Sequence, residues 1–186
     1  MVAPSTVWTI GHWTCPQEVV LETLATAAID VLVDVRKLPG SRRSPQFDAE
    51  TMTDWLGAAG IEYLHLTELT GRRPKQKDVD PLLNAGWQNT SFKNYADYTL
   101  SEEYEAGIAR LTDLAAEHHV VLMCGEPMPW RCHRLLIANT LTARGGEVVH
   151  LRNGAKPVVH ELGAWGARPV VDEDGTVLYP PEKETS

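Results

Sequence analysis

Cysteine is scarce in this chain. Three thiols in 186 residues, an odd number, argue against a disulfide framework and fit a reducing compartment, leaving thiol chemistry open. No apolar run approaches the ~20 residues that a membrane-crossing helix needs, and the stretch from Met1 to Thr6 lacks the basic and apolar regions of a secretory signal. No membrane partner and a cytoplasmic location are therefore the expectations. Basic residues are outnumbered, 17 Lys and Arg against 25 Asp and Glu, for a net charge of -8. That balance argues against unspecific adhesion to nucleic acid, although it says little about a local site. Internal repeats and low-complexity linkers are absent, and 186 residues suit one well-buried domain better than two.

What positive charge there is comes in groups: Arg36, Lys37, Arg42 and Arg43; then Arg72, Arg73, Lys75 and Lys77; then Arg131 and Arg134. The strongest organising stretch runs from Val120 to Arg134. A β-branched and apolar run breaks at Gly125, Pro127 and Pro129, then resumes as a helical pattern at Leu135, Leu136, Ala138 and Leu141. Strand, loop, helix is the reading. The loop holds Cys124, Glu126, Arg131, Cys132, His133 and Arg134 where a helix N-terminus favours anions.

Along the chain, residues 7–10 predict a first strand, and Cys15-Pro16 the cap and first position of a helix with Val19, Val20 and Leu24 inward. The run Val31-Leu32-Val33-Asp34-Val35 is a strand of the kind covered on both faces in parallel sheets. It opens into a basic loop carrying Arg36, Ser41, Arg42 and Arg43. A helix begins at Asp48 and ends at Gly60, and residues 61–66 form a third strand with Tyr63 and His65. From 67 to 98 the pattern dissolves into Gly, Pro and polar residues, with Trp87, Phe92, Tyr95 and Tyr98 marking an aromatic-bearing lid rather than disorder. Ser101 caps a further helix, residues 148–151 give another strand, and the Asp174-Gly175 turn between β-type pairs predicts a hairpin over 170–179.

The expected fold is a three-layer α/β domain over residues 1–153, with a mainly parallel sheet flanked by helices, followed by a C-terminal extension over 154–186 with a hairpin and a loose tail. Right-handed crossovers then place the strand ends on one edge, gathering His12, Asp34, Arg36, His65, Cys124, Glu126 and His150 at one cleft.

Several separated motifs carry a family likeness. Thr9-Ile10-Gly11-His12, Asp34-Val35-Arg36 with Pro39 and Ser41-Arg42, Tyr63-Leu64-His65-Leu66, Gly71-Arg72-Arg73, Phe92 through Tyr95-Ala96-Asp97-Tyr98, Cys124-x-Glu126 and Cys132-His133-Arg134, in that order, resemble the bacterial and archaeal family called domain of unknown function 488. The likeness spans about Val7 to Leu151. It implies an α/β domain and brings no settled activity. Thr70 and Asn94 stand where the family pattern has glycine.

Three chemistries remain open for the loop. Cys124 facing a helix N-terminus near Arg131 and Arg134 has the setting of a nucleophilic thiolate, with Glu126 as acid or base and His12 or His133 assisting proton transfer. Six residues separate Cys124 from Arg131, and Pro127 and Pro129 remove amide donors, so a tyrosine-phosphatase loop is rejected. The alternative for this thiol is a buried structural role with Glu126 paired to an arginine. A metal or redox centre built from Cys124, Cys132 and His133, with His12 or His65, is the second chemistry, although the spacing is not a short Cys-x-x-Cys knuckle.

Anion recognition, the third, accounts for the most residues: Arg36, Arg42, Arg72, Arg73, Arg131 and Arg134 suit bidentate phosphate contacts, supported by Asp34 and Ser41, and Trp130 can stack on a base. The leading expectation is thus a cytoplasmic α/β enzyme acting on a phosphate-bearing small molecule or nucleic acid. Its competitors are a non-catalytic nucleic-acid or protein-binding module and a metal or redox protein. The pattern points to no particular cofactor and to no metal over the other readings.

Overall fold

Short runs of β-branched and apolar residues alternate with amphipathic stretches, and this alternation builds a sheet sandwiched between helices. A computed structural model describes residues 5–40 and 42–183. In chain order the elements are β1 (Thr6–Gly11), α1 (Gln17–Thr26), β2 (Val31–Asp34), α2 (Ala49–Ala58), β3 (Glu62–His65), α3 (Thr90–Tyr98), α4 (Glu102–Glu117), β4 (Val120–Cys124), α5 (Arg134–Ala143), β5 (Glu147–Arg152), β6 (Ala155–Val159), β7 (Val170–Val171) and β8 (Val177–Leu178). The six-stranded sheet has the order β3-β2-β4-β1-β5-β6; β1 to β5 are parallel, and β6 is antiparallel to β5. A separate antiparallel pair, β7-β8, is the predicted C-terminal hairpin. The α/β class with a mainly parallel sheet is as read from the sequence.

Period-2 alternation sorts the strand residues onto two faces. Leu32, Val121, Met123 and Ile10 pack with Val20, Leu24, Met52, Trp55 and Leu56 of α1 and α2. Val33, Val120, Leu122 and Cys124 pack on the other face with Tyr104, Ile108 and Leu111 of α4 and Leu135 to Ala138 of α5. Helix α5 is buried from Arg134 through Leu141, because the sheet covers one side and Val177 and Tyr179 of the C-terminal segment join the same cluster. The chain leaves β2 toward β3 and leaves β4 toward β5, in opposite directions along the sheet, and so opens a crevice at their carboxyl ends.

The structure differs from the sequence reading in three places. The segment 67–98 ends in helix α3, whose N-cap Asn89 side chain accepts the Phe92 N–H at 3.2 Å, and which buries Tyr95, Ala96 and Tyr98. Its apolar face is aromatic and short, set in a polar background, so it does not register as a run. Helix α1 begins after Pro16 as its N-cap, and the Cys15 carbonyl instead accepts Gln46 Nε2 at 3.3 Å. Strand β6 turns back through Asn153-Gly154, with Gly154 at φ 76°, so the sheet runs on past the boundary expected at 153. Its charged and proline-bearing edge sequence hid it. The two departures from the family pattern are absorbed without strain: Thr70 has extended backbone at φ -67°, and Asn94 lies inside α3.

Candidate functional site

A cleft of about 390 Å³ lies at the carboxyl edge of β1, β2 and β4, lined by His12, Arg36, Lys37, Leu38, Gly40, Arg72, Ser91, Phe92, Tyr95, Cys124, Gly125, Glu126, Arg131, Cys132 and His133. Of the described residues lining it, four are cationic and one, Glu126, is a carboxylate. Its floor depends on Gly11. A Cβ there would collide with the Glu126 carbonyl, because the loop after β4 crosses directly over the end of β1. Gly11→Ala is therefore expected to lower stability by about 1–3 kcal/mol and to disturb the loop bearing Glu126. A urea midpoint unchanged from the parent chain would contradict it.

On the left wall, Asp34 is fully buried and its carboxylate gathers several donors: Arg36 N–H at 3.0 Å, Arg36 Nη2 at 2.8 Å and the Tyr63 hydroxyl at 2.5 Å. Arg36 also donates to the Phe47 carbonyl at 2.7 Å, and its Nη1 lies 3.2 Å from His12 Nε2. His12 Nδ1 donates to the Trp13 carbonyl at 2.6 Å, so its Nε2 is the acceptor for Arg36. Burial, with Arg36 adding to it, lowers the His12 pKa to about 4, and the ring stays neutral at neutral pH. His65 Nε2 is bonded to the Arg36 carbonyl at 2.7 Å. Asp34 thus orients Arg36, which lines the cleft.

At the centre stand the two thiols. Cys124 ends β4 and Cys132 precedes α5; both are 6% exposed or less, and their sulfurs are 2.7 Å apart. Cys132 Sγ accepts the Arg134 backbone N–H at 3.4 Å and lies 3.5 Å from His133 Nδ1. Arg134 is fully buried, yet among the described residues no carboxylate meets it. Its guanidinium donates to the Glu126 carbonyl at 2.6 Å and the Thr9 hydroxyl at 3.1 Å, both neutral. A buried cation with neutral partners calls for an anion, and the sulfurs are the candidates beside it. Burial alone would raise the Cys132 thiol. The hydrogen bond with Cys124, the Arg134 charge and the Arg134 N–H outweigh it and lower the Cys132 thiol below its usual value. The N-terminus of α5 acts in the same sense. Burial pushes Cys124 the other way, well above the usual thiol range, so it keeps its proton.

His133 stacks obliquely on Tyr95, with ring centroids 4.9 Å apart, and burial lowers its pKa to about 4. Its Nε2 is buried, and among the described residues no hydrogen-bond partner meets it. Gly71 makes room for the ring, since a Cβ there would stand 2.6 Å from His133 Nδ1.

Behind the thiols runs a one-directional hydrogen-bonded chain. Asn139 Oδ1 can only accept, so His160 Nε2 donates to it at 2.8 Å; in neutral rings His160 Nδ1 then accepts from His150 Nε2 at 3.0 Å, and His150 Nδ1 from the Thr9 hydroxyl at 2.6 Å, while Thr9 accepts from Arg134. Asn139 donates to the Tyr179 hydroxyl at 3.0 Å. Burial lowers His150 to about 3 and His160 to about 4, consistent with two neutral rings. His150 therefore belongs to this interior chain and not to the cleft.

A family model described as Domain of unknown function DUF488 matches residues 16–141. The chain belongs to the DUF488 family. The match takes in both thiols, Glu126 and Arg134 and is narrower at each end than the likeness read from the motifs, leaving His12 and β5 outside. No curated protein matches the chain, nor does any solved structure.

In this DUF488 chain the sequence-derived residues separate by place. Cys124, Glu126, His12, His133, Arg36, Arg72 and Arg131 share the cleft. Arg42 is exposed on the loop after β2 and Ser41 lies outside the described residues. Arg73 donates to the Thr67 and Thr70 carbonyls and lies 3.8 Å over the Tyr98 ring, away from the cleft lining. Trp130 packs on Trp165 at 5.1 Å. Sequence reasoning named Cys132 for a metal set and Cys124 for the nucleophile; the structure puts the two sulfurs side by side and adds the Arg134 N–H to Cys132, which stands two residues ahead of α5. Among the described residues no group of three His, Cys, Asp or Glu side chains is arranged to hold a metal ion, and no helix is long and apolar enough to cross a membrane.

Proposed function

We propose that this DUF488 protein is a thiol enzyme acting on a phosphate-bearing substrate, a nucleotide or nucleic acid, with Cys132 as the attacking sulfur. The observation that carries the reading is the buried Arg134 guanidinium, which has no carboxylate partner among the described residues and stands beside a thiol whose pKa is lowered. At neutral pH a thiolate there balances a charge that is otherwise uncompensated, and a thiolate is the form that attacks. Arg72 and Arg131 are exposed at the cleft and Arg36 is oriented by Asp34, a set suited to phosphate oxygens. Phe92 and Tyr95 supply rings on the same lining. Glu126 is the exposed carboxylate in reach of the cleft for proton transfer.

The test is a thermal-shift screen of nucleotides and short single strands. A ligand at a hundredfold excess over its Kd stabilises by about 2.7 kcal/mol. That shift should persist in Cys132→Ser and vanish in the Arg72→Ala, Arg131→Ala double variant. No shift from any phosphate-bearing compound, or shifts indifferent to the two arginines, would sink the reading.

A further inference from the structure

We infer that Cys132 and Cys124 form a reversible dithiol–disulfide couple that exchanges with an acidic low-molecular-weight disulfide entering the cleft, a second activity of the same site. The inference rests on Cys132 being the reactive sulfur and adds a role for Cys124 as the resolving thiol. The two sulfurs stand at 2.7 Å, inside ordinary non-bonded contact and a short closure from the ~2.05 Å of a disulfide bond. The segment between them is stiffened by Pro127, Pro129 and the 3-10 turn Pro129–Arg131, so the pairing does not depend on a mobile loop. Four cationic side chains against one carboxylate on the described lining favour an anionic disulfide over a neutral one.

The steps balance. The Cys132 thiolate attacks one sulfur of the entering disulfide, forming a mixed disulfide and releasing one thiolate. Cys124 then loses its proton as its sulfur attacks Cys132 Sγ. The second half leaves as thiolate and takes that proton. The small disulfide is reduced by two electrons, and the protein dithiol is oxidised by two. Closing the bond removes the thiolate that faces Arg134, leaving that buried cation with neutral acceptors alone. The reduced form is thereby favoured, which makes the couple an exchanging one rather than a structural crosslink.

The probe is oxidised glutathione, added near pH 7 to the full chain carrying Cys15→Ser and read by intact mass and peptide mapping. The mass should fall by two hydrogen atoms, with the Cys124 and Cys132 peptides joined, and dithiothreitol should restore it. Cys124→Ser should stop at one glutathionyl group on Cys132, and Cys132→Ser should stay unmodified over the same time. A stable glutathionyl adduct on Cys132 beside a free Cys124 in the parent chain would overturn the couple, as would no reaction at all. Alkylation by iodoacetamide separates the two readings. Fast labelling of Cys132 with a stalled mixed disulfide defeats the couple and leaves the nucleophile standing, whereas a Cys132 inert to both reagents defeats both.

Discussion

Replacing Arg134 with methionine is expected to move the titration midpoint of Cys132 up to or past the usual thiol value near 8.5. The thiolate is held by the bond with Cys124, the guanidinium charge and the Arg134 backbone N–H, against burial. Methionine keeps the backbone N–H and much of the volume but deletes the charge, so burial wins. At pH 7 the thiolate fraction then drops, and iodoacetamide labelling should slow by roughly tenfold or more. Stability falls too. The Glu126 carbonyl and the Thr9 hydroxyl each lose their guanidinium donor, at about 1–3 kcal/mol per unsatisfied group. Thr9→Val separates the effects: it removes one acceptor and breaks the chain to His150 while leaving the charge beside Cys132. It should cost stability with little change in the labelling midpoint. An Arg134→Met protein whose labelling profile overlays the parent's would show that some other group holds the thiolate.

How much of this was legible in the sequence depends on the range of the forces involved. Strands β2 and β4 and the loop into α5 were readable because a buried parallel strand is nearly all apolar and its end is punctuated by Gly125, Pro127 and Pro129. The convergence of Asp34, Arg36, His12 and Cys124 on one edge followed from crossover handedness alone. The partners of the arginines were not legible. Arg36, Arg73 and Arg134 look alike in sequence, yet one is braced by Asp34, one spans Thr67, Thr70 and Tyr98, and one is sealed in the core with no carboxylate among the described residues. For Arg134 that sorting is decided by a contact across 125 residues, with Thr9. The same holds for which thiol ionises. Cys124 has the strand-end position, but the Arg134 backbone N–H donates to Cys132, and periodicity carries no trace of that. Helix α3 and strand β6 were missed for a local reason: the buried face of α3 is only a few residues wide, β6 buries none of its residues, and both are embedded in polar, glycine- and proline-bearing sequence.

Acidification from pH 7 to pH 5 is expected to cost this fold on the order of 5 kcal/mol, a sizeable part of the 5–15 kcal/mol that holds a typical domain together. Four histidines are responsible. His12, His133 and His160 are lowered to about 4 and His150 to about 3, each chiefly by burial; Arg36 adds to the effect at His12, and Arg134 at His133 and His150. In the unfolded chain the same rings titrate near 6.5. Between these values the unfolded state binds protons that the native state refuses, so the stability present above about pH 6.5 is lost as pH falls toward about 4. Near the middle of the window almost four protons are taken up on unfolding, a slope of about 5 kcal/mol per pH unit. His118, raised by its bond to Asp30, works in the opposite sense at an exposed site. Urea unfolding at pH 7, 6 and 5 measures the slope, and the His150→Gln, His160→Gln double variant should halve it. A stability that stays level from pH 7 to pH 5 would mean that the interior chain from Arg134 to Tyr179 accepts protons readily, and the two rings could not then be the neutral, one-directional links described above.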